Sequence, residues 1–279
     1  MPPPMEVSWA PKEPKQGEVL HLWVNVLEGM RVEKGELLSR PLHFSAPSGR
    51  PGRWDALFGI DMGQDPGAYE VSVQLAAVEG AAKREVTSAI RILAQTFGEE
   101  RFTIQDDSKV HLSPEDLARV KKERVQIAAL WPAETPERLW EGSFMMPVEG
   151  RPGSPFGLRR WINGERRNSH SGMDIKAPEG QPVKAANSGR VALVGDFFFT
   201  GRAVFLDHGQ GIYTMYFHLS KIDVVEGQKV SKGEVLGLVG MTGRATGPHL
   251  HWGVRLGGAR VDPASLVDRT GGNETEDAI

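Results

Sequence analysis

Apolar and polar residues alternate in short stretches through the first third of the chain. Glu18–Val26 carries the pattern through Val19, His21 and Trp23, and Tyr69, Val71, Val73 and Leu75 recur on one side of Ala68–Leu75. A period of two marks strands with one buried face. Turn-forming clusters at Glu28-Gly29, Pro47–Gly52, Gly63–Gly67 and Glu79-Gly80 separate these stretches. Short strands at this spacing predict a β-sandwich over residues 5–95.

The pattern then changes. Ser113-Pro114-Glu115-Asp116 combines a capping serine, a proline at the first helical position and acids in the first turn. Leu117, Val120, Ala128 and Trp131 follow at roughly helical spacing. They predict one helix of about four to five turns that ends near Pro132. Residues 96–142 therefore read as a helical connector, with Pro132 and Pro136 marking a linker. From Phe144 strands return, with a weak internal repeat. Glu179-Gly180-Gln181-Pro182-Val183 is echoed by Glu226-Gly227-Gln228-Lys229-Val230, and apolar stretches follow at Gly189–Val194 and Gly233–Val239. Paired turns of this kind predict a folded-over antiparallel sheet with two related halves.

Composition narrows the function. Of 279 residues, 25% are charged and 39% hydrophobic, which excludes a disordered tail and a membrane-embedded chain. No apolar run reaches the ~18 residues of a membrane helix. Met-Pro-Pro-Pro-Met5 lacks the basic and apolar regions of a secretory leader, which suits a cytosolic protein or one whose leader is removed. A net charge of −3 excludes a generally basic nucleic-acid binder. The charge is uneven, however. Residues 143–269 hold 16 basic and 11 acidic side chains, residues 1–142 hold 17 and 22, and the acidic tail 270–279 adds three acids. A basic module on an acidic remainder suits an anionic partner. Cysteine is absent, so thiolate chemistry and Cys-based zinc sites are excluded.

Five of the eight histidines follow residue 169: His170, His208, His218, His249 and His251. His170 and Asp174 stand four residues apart, and His249 and His251 share one face of a strand. Two histidines and one aspartate are a suitable ligand set for a catalytic zinc with a fourth position open to water. Spacing alone does not decide which of His249 and His251 binds metal. His208, in Asp207-His208-Gly209-Gln210-Gly211, reads as a hairpin residue.

Residues 144–268 resemble the lysostaphin-like (LytM-type) zinc metallopeptidases, which cleave peptide bonds of peptidoglycan. The resemblance rests on Phe156-Gly157-Leu158-Arg159, His170-Ser-Gly-Met-Asp174-Ile175 with Ala177-Pro178, and Ala185–Gly189. Tyr216-Phe217-His218-Leu219-Ser220 and Gly240-Met-Thr242-Gly243 follow, running into Gly247-Pro248-His249-Leu250-His251. It implies one zinc per chain on His170, Asp174 and His251, with His218 and His249 as the unliganded catalytic histidines. A neutral histidine can take a proton from water and return it to a leaving amine near pH 7. The division of roles between these two stays open. Trp252-Gly253 and Phe217 depart from the family pattern and bear on the groove wall.

Asp65-Pro66-Gly67-Ala68-Tyr69 resembles the tyrosine corner of immunoglobulin-like domains. The expected chain is mainly β: an immunoglobulin-like sandwich over 5–95, the connector over 96–142 and a metallopeptidase domain over 143–269. Peptidoglycan as substrate implies a periplasmic, envelope or secreted location. A non-catalytic envelope binding or activator protein with a peptidase fold is the alternative. A biotinyl- or lipoyl-type carrier is excluded, since no lysine stands in an attachment context between the repeats.

Two readings suit the run Arg159, Arg160, Arg166 and Arg167: a solvated loop with Arg159 fixed by a local carboxylate, or a groove rim that meets substrate carboxylates. The acidic region before Phe144 could dock on that rim and restrict access to the zinc, an autoinhibitory contact.

Overall fold

The computed structural model describes residues 5–46, 50–104, 111–132 and 135–271. The acidic tail from residue 272 and the first half of the Pro47–Gly52 turn lie outside them. The chain divides into two compact units, residues 1–95 and 96–279.

The first unit holds seven strands, β1 (Val7–Ala10), β2 (Val19–Asn25), β3 (Met30–Leu37), β4 (Arg40–Pro41), β5 (Arg53–Gly59), β6 (Gly67–Ala77) and β7 (Lys83–Ile92). They form a three-stranded sheet, β1-β2-β5, and a four-stranded one, β4-β3-β6-β7. In β6 alternation does what the sequence predicts, with Val71, Val73 and Leu75 in the apolar core; in β2 the residues that join them are Leu20, Leu22 and Val24, on the face opposite the expected Val19, His21 and Trp23. The Tyr69 hydroxyl donates to the Asp65 carbonyl at 2.7 Å, the contact a tyrosine corner requires.

The second unit begins earlier than the predicted metallopeptidase domain. β8 (Glu99–Phe102) pairs in parallel with β10 (Arg159–Ile162), which turns back into β11 (Glu165–Arg166). Helix α1 spans Pro114–Ala128, with the Ser113 hydroxyl accepting the Asp116 N–H. The connector is thus part of this unit. The helix packs through less of its apolar face than expected. Val120 is buried and Ile127, Leu130 and Trp131 lie against the sheet core, but Leu117 is 42% exposed. Polar contacts supply the rest: Arg119 donates to the Asp196 carbonyl, and Glu123 accepts the Phe198 N–H.

An eight-stranded sheet dominates the unit, ordered β18-β14-β15-β16-β20-β12-β9 with β21 beside β20. Its members are β9 (Arg151–Pro152), β12 (Gly172–Lys176), β14 (Gly189–Phe197), β15 (Gly201–Asp207), β16 (Ile212–Leu219), β18 (Lys229–Val230), β20 (Leu250–Leu256) and β21 (Ala259–Val261). A small sheet joins β13 (Pro182–Lys184), β19 (Val235–Leu238) and β17 (Lys221–Ile222), and α2 (Pro263–Gly271) closes the described chain. The predicted repeat has a physical counterpart. Gly180 N–H donates to Val239 O and Gly227 N–H to Val191 O, so each turn binds the strand that follows the other.

Candidate metal centre

Strand register assembles the site. Asp174 on β12 stands opposite His251 on β20, which stands opposite Phe217 on β16, so the three form one row across neighbouring strands. Period-two alternation puts Leu250 and Trp252 into the core on the other face, both fully buried. His170 precedes β12, held by its N–H on the Leu158 carbonyl and by its Nδ1 on the Pro155 carbonyl at 2.7 Å. A carbonyl only accepts, so His170 Nδ1 carries the proton and Nε2 offers a lone pair.

That lone pair points at two other donors. His170 Nε2 lies 3.0 Å from Asp174 Oδ1 and 2.9 Å from His251 Nδ1, and the last two are 2.9 Å apart. Three electron-pair donors this close repel unless a cation or shared proton lies among them. Ligand atoms 2.0–2.2 Å from a tetrahedral zinc sit about 3.3 Å apart, a few tenths of an ångström more than this spacing. The donor set therefore fits zinc. Burial would raise the Asp174 carboxyl, but the close imidazoles of His170 and His251 overrule it and hold the group far below the ordinary carboxylate range. Burial pushes His251 down to about 4, partly offset by Asp174.

His218 and His249 complete a ring of imidazoles. Their centroids are 4.7 Å apart, and His249 Nε2 is 3.8 Å from Asp174 Oδ1. His218 Nδ1 donates to Thr242 O and His249 Nδ1 to Gly247 O, each at 2.8 Å, which leaves both Nε2 atoms as acceptors. Burial first, then His251 and His249, hold His218 down to about 3. Its backbone is in the left-handed region (φ 64), where the β15–β16 register shifts between Arg202 and Val204. A non-glycine residue held there stores strain at the site.

All five predicted residues converge. His208 does not: it is fully buried in a separate chain in which Nδ1 donates to Ser188 O and Nε2 meets Thr214 Oγ1, itself 2.9 Å from the Tyr216 hydroxyl. Sequence reasoning missed the contacts that three neighbours make. Arg160, rather than Arg159, is the arginine fixed by carboxylates: Nη2 reaches Asp174 Oδ2 and Nε reaches Glu100 Oε2, each at 3.1 Å. Glu100 also accepts the Ser154 hydroxyl at 2.5 Å. Phe217 stacks flat on His251, the ring planes 2° apart. The arginine run and the unusual Phe217 were visible as a local signal. Glu100 was not, since it acts across 60 residues of sequence.

Residues 168–263 match the description Peptidase family M23. A crystal structure of an M23 protein from Pseudomonas aeruginosa is 36% identical, covers 91% of this chain and 95% of its own, and superimposes with a TM-score of 0.69. The chain belongs to peptidase family M23. M23 proteins are zinc peptidases, in keeping with the donor set. Among curated M23 relatives, the DD-carboxypeptidase/endopeptidase Mpg of Neisseria meningitidis is 43% identical over 120 residues, which is 43% of this chain. The peptidoglycan DD-endopeptidase ShyA of Vibrio cholerae is 44% identical over 93 residues, 33% of this chain. The matches span only 28% and 22% of those two proteins. Among the described residues no helix is long and apolar enough to cross a membrane.

Proposed function

We propose that this chain is a zinc endopeptidase of the cell envelope that hydrolyses peptide bonds in peptidoglycan stem peptides or cross-links. The observation that carries the reading is the convergence of three lone-pair donors, 2.9–3.0 Å apart, beside two further imidazoles with acceptor nitrogens. In this reading His170 Nε2, Asp174 Oδ1 and His251 Nδ1 hold one zinc. A zinc ion held there would lower the pKa of a water towards about 7 and polarise a peptide carbonyl. His218 and His249 are the proton carriers: an acceptor Nε2 takes the proton of the attacking water and returns it to the leaving amine. The activities for which Mpg and ShyA are named support a substrate with D,D-peptide bonds.

The test is digestion of chemically distinct sacculi by the purified chain, with products identified by mass. New amine and carboxyl ends, lost on chelation and restored by zinc, are expected. No product from a chain carrying stoichiometric zinc would refute the reading.

For the residues before Phe144 we infer bracing rather than occlusion. β8 pairs with the loop that holds Arg160, and Glu100 fixes the guanidinium that meets Asp174. Glu100→Gln in the full chain should then slow hydrolysis of a soluble peptidoglycan peptide about tenfold, the low end of the range typical of such outer partners of a metal ligand. A faster rate would restore the covering role. The two-sheet order and the Tyr69–Asp65 contact support an immunoglobulin-like class for residues 5–95.

A further inference from the structure

A cavity of about 650 Å³ opens beside the metal centre, with Asp174, His249 and Thr246 on its wall. Two cations, Arg151 and Lys176, also line it. Lys176 lies two residues beyond Asp174 on β12, so alternation places both side chains on the same face. Arg151 on β9 is the direct partner of Lys176 in the antiparallel register. Directly opposed side chains share a face about 5 Å apart, and like charges in that position destabilise the pair.

Solvent screens this repulsion, since both side chains are exposed, but no carboxylate neutralises it. Among the described residues neither cation makes an ion pair. The one carboxylate on the cavity wall, Asp174, is already engaged by His170 and His251 through Oδ1 and by Arg160 through Oδ2. The two strands are also held tightly together. A Cβ on Gly153 would lie 2.8 Å from the Asp174 carbonyl oxygen, so β9 and its flank run hard against β12. Two like charges are thus fixed side by side, facing a cavity that reaches the reacting centre. An anion bound between them removes the cost of their proximity, and a planar carboxylate suits the guanidinium fork.

We propose that Arg151 and Lys176 form a carboxylate subsite that selects peptides with a free α-carboxylate on the residue leaving from the scissile bond. The proposal rests on the peptidase reading above. Two sources present this chemistry: a chain-terminal D-alanine, and the D-centre of a diaminopimelate residue in a cross-link.

The experiment uses reduced-amide analogues, which cannot be hydrolysed, of D-alanyl-D-alanine and of D-alanyl-diaminopimelate. Each is prepared as the acid and as the carboxamide, and binding to the zinc-loaded full chain is measured by calorimetry. The acid should bind roughly tenfold tighter than its amide in at least one pair, the low end for a charge-assisted contact because both cations are solvent-exposed. The pair that shows the preference identifies the source. In an Arg151→Gln/Lys176→Gln double variant with unchanged zinc content and thermal unfolding, acid and amide should bind equally. Equal binding by the parent chain, or a preference that survives in the variant, would overturn the subsite. Hydrolysis of the ordinary peptides is followed in parallel. An acid preference without hydrolysis would refute the peptidase reading and leave the subsite standing.

Discussion

Replacing Gly172 by alanine tests whether the β12–β20 contact sets the metal geometry. A Cβ on Gly172 would stand 2.7 Å from His251 Nε2 and closer still to the Trp252 carbonyl oxygen. Real Cβ atoms essentially never approach below 3.0 Å, so the imidazole must retreat by about 0.3 Å, or about 0.7 Å for an ordinary 3.4 Å contact. The nearest obstacle is backbone, and the flexible end of a side chain cannot absorb the change. Asp174 and His251 are direct partners across the same two strands, so any separation moves one ligand away from the other. Metal sites tolerate ligand displacements of about 0.2 Å. Gly172→Ala should therefore weaken zinc binding at least tenfold, within the ~10–100-fold range of changes around a ligand. Overpacking should lower the stability of the metal-free protein by about 1–3 kcal/mol. Competition with a chromogenic chelator gives the first quantity, and denaturant unfolding with and without zinc gives the second. Zinc affinity within twofold of the parent would refute the reasoning, since it would mean that the strands part without moving the imidazole.

Further substitutions separate the histidines. His251→Ala should lose most bound metal while the sheets stay folded, whereas His218→Ala and His249→Ala should keep zinc and lose about 10²–10⁴-fold in turnover; zinc analysis and kinetics decide, and metal loss in either of the latter would make that residue a ligand. Phe217→Ala frees one face of His251 and should lower turnover without unfolding the sheet, as measured by kinetics and thermal unfolding; unchanged turnover would remove Phe217 from the supporting shell. His208, fully buried, is pushed down to about 4 from an unfolded value near 6.5, so its neutral form stabilises the fold fully above pH 6.5 and that contribution is lost as pH falls towards 4. The loss is about 3 kcal/mol. His208→Gln should flatten this part of the stability–pH profile, and an equally steep profile would refute the assignment.

The candidate site was partly legible because its spacing is local or periodic: His249 and His251 obey the alternation of a strand, and His170 and Asp174 sit four residues apart, but only the family resemblance chose His251 over His249 as a ligand. Helix α1 was legible from Ser113 and Pro114, whose capping and fixed φ act within one turn. The packing of that helix was not, because Leu117 follows the helical period yet meets no partner that buries it. Arg160 was visible only as one of four arginines. What singles it out is the parallel pairing of β8 with β10, a long-range event that leaves no periodic trace in either segment. Gly172 and Gly153 look like ordinary turn residues in sequence, and only the strand contacts reveal that they leave room for His251 and Asp174.

The two histidines of the donor set lie 81 residues apart. With zinc in place the ion would act as a clasp, and most of the strands of the large sheet lie within the loop it closes. In a chain-entropy account, a permanent link around a loop of that length removes about 4–5 kcal/mol of freedom from the denatured ensemble. Metal starvation would then do more than silence the chemistry. It would return that freedom to the unfolded chain, raise the population of open forms and mark the idle protein for proteolysis. Activity and lifetime would rise and fall together with a single ion, so a stock of intact but metal-free hydrolase would not accumulate.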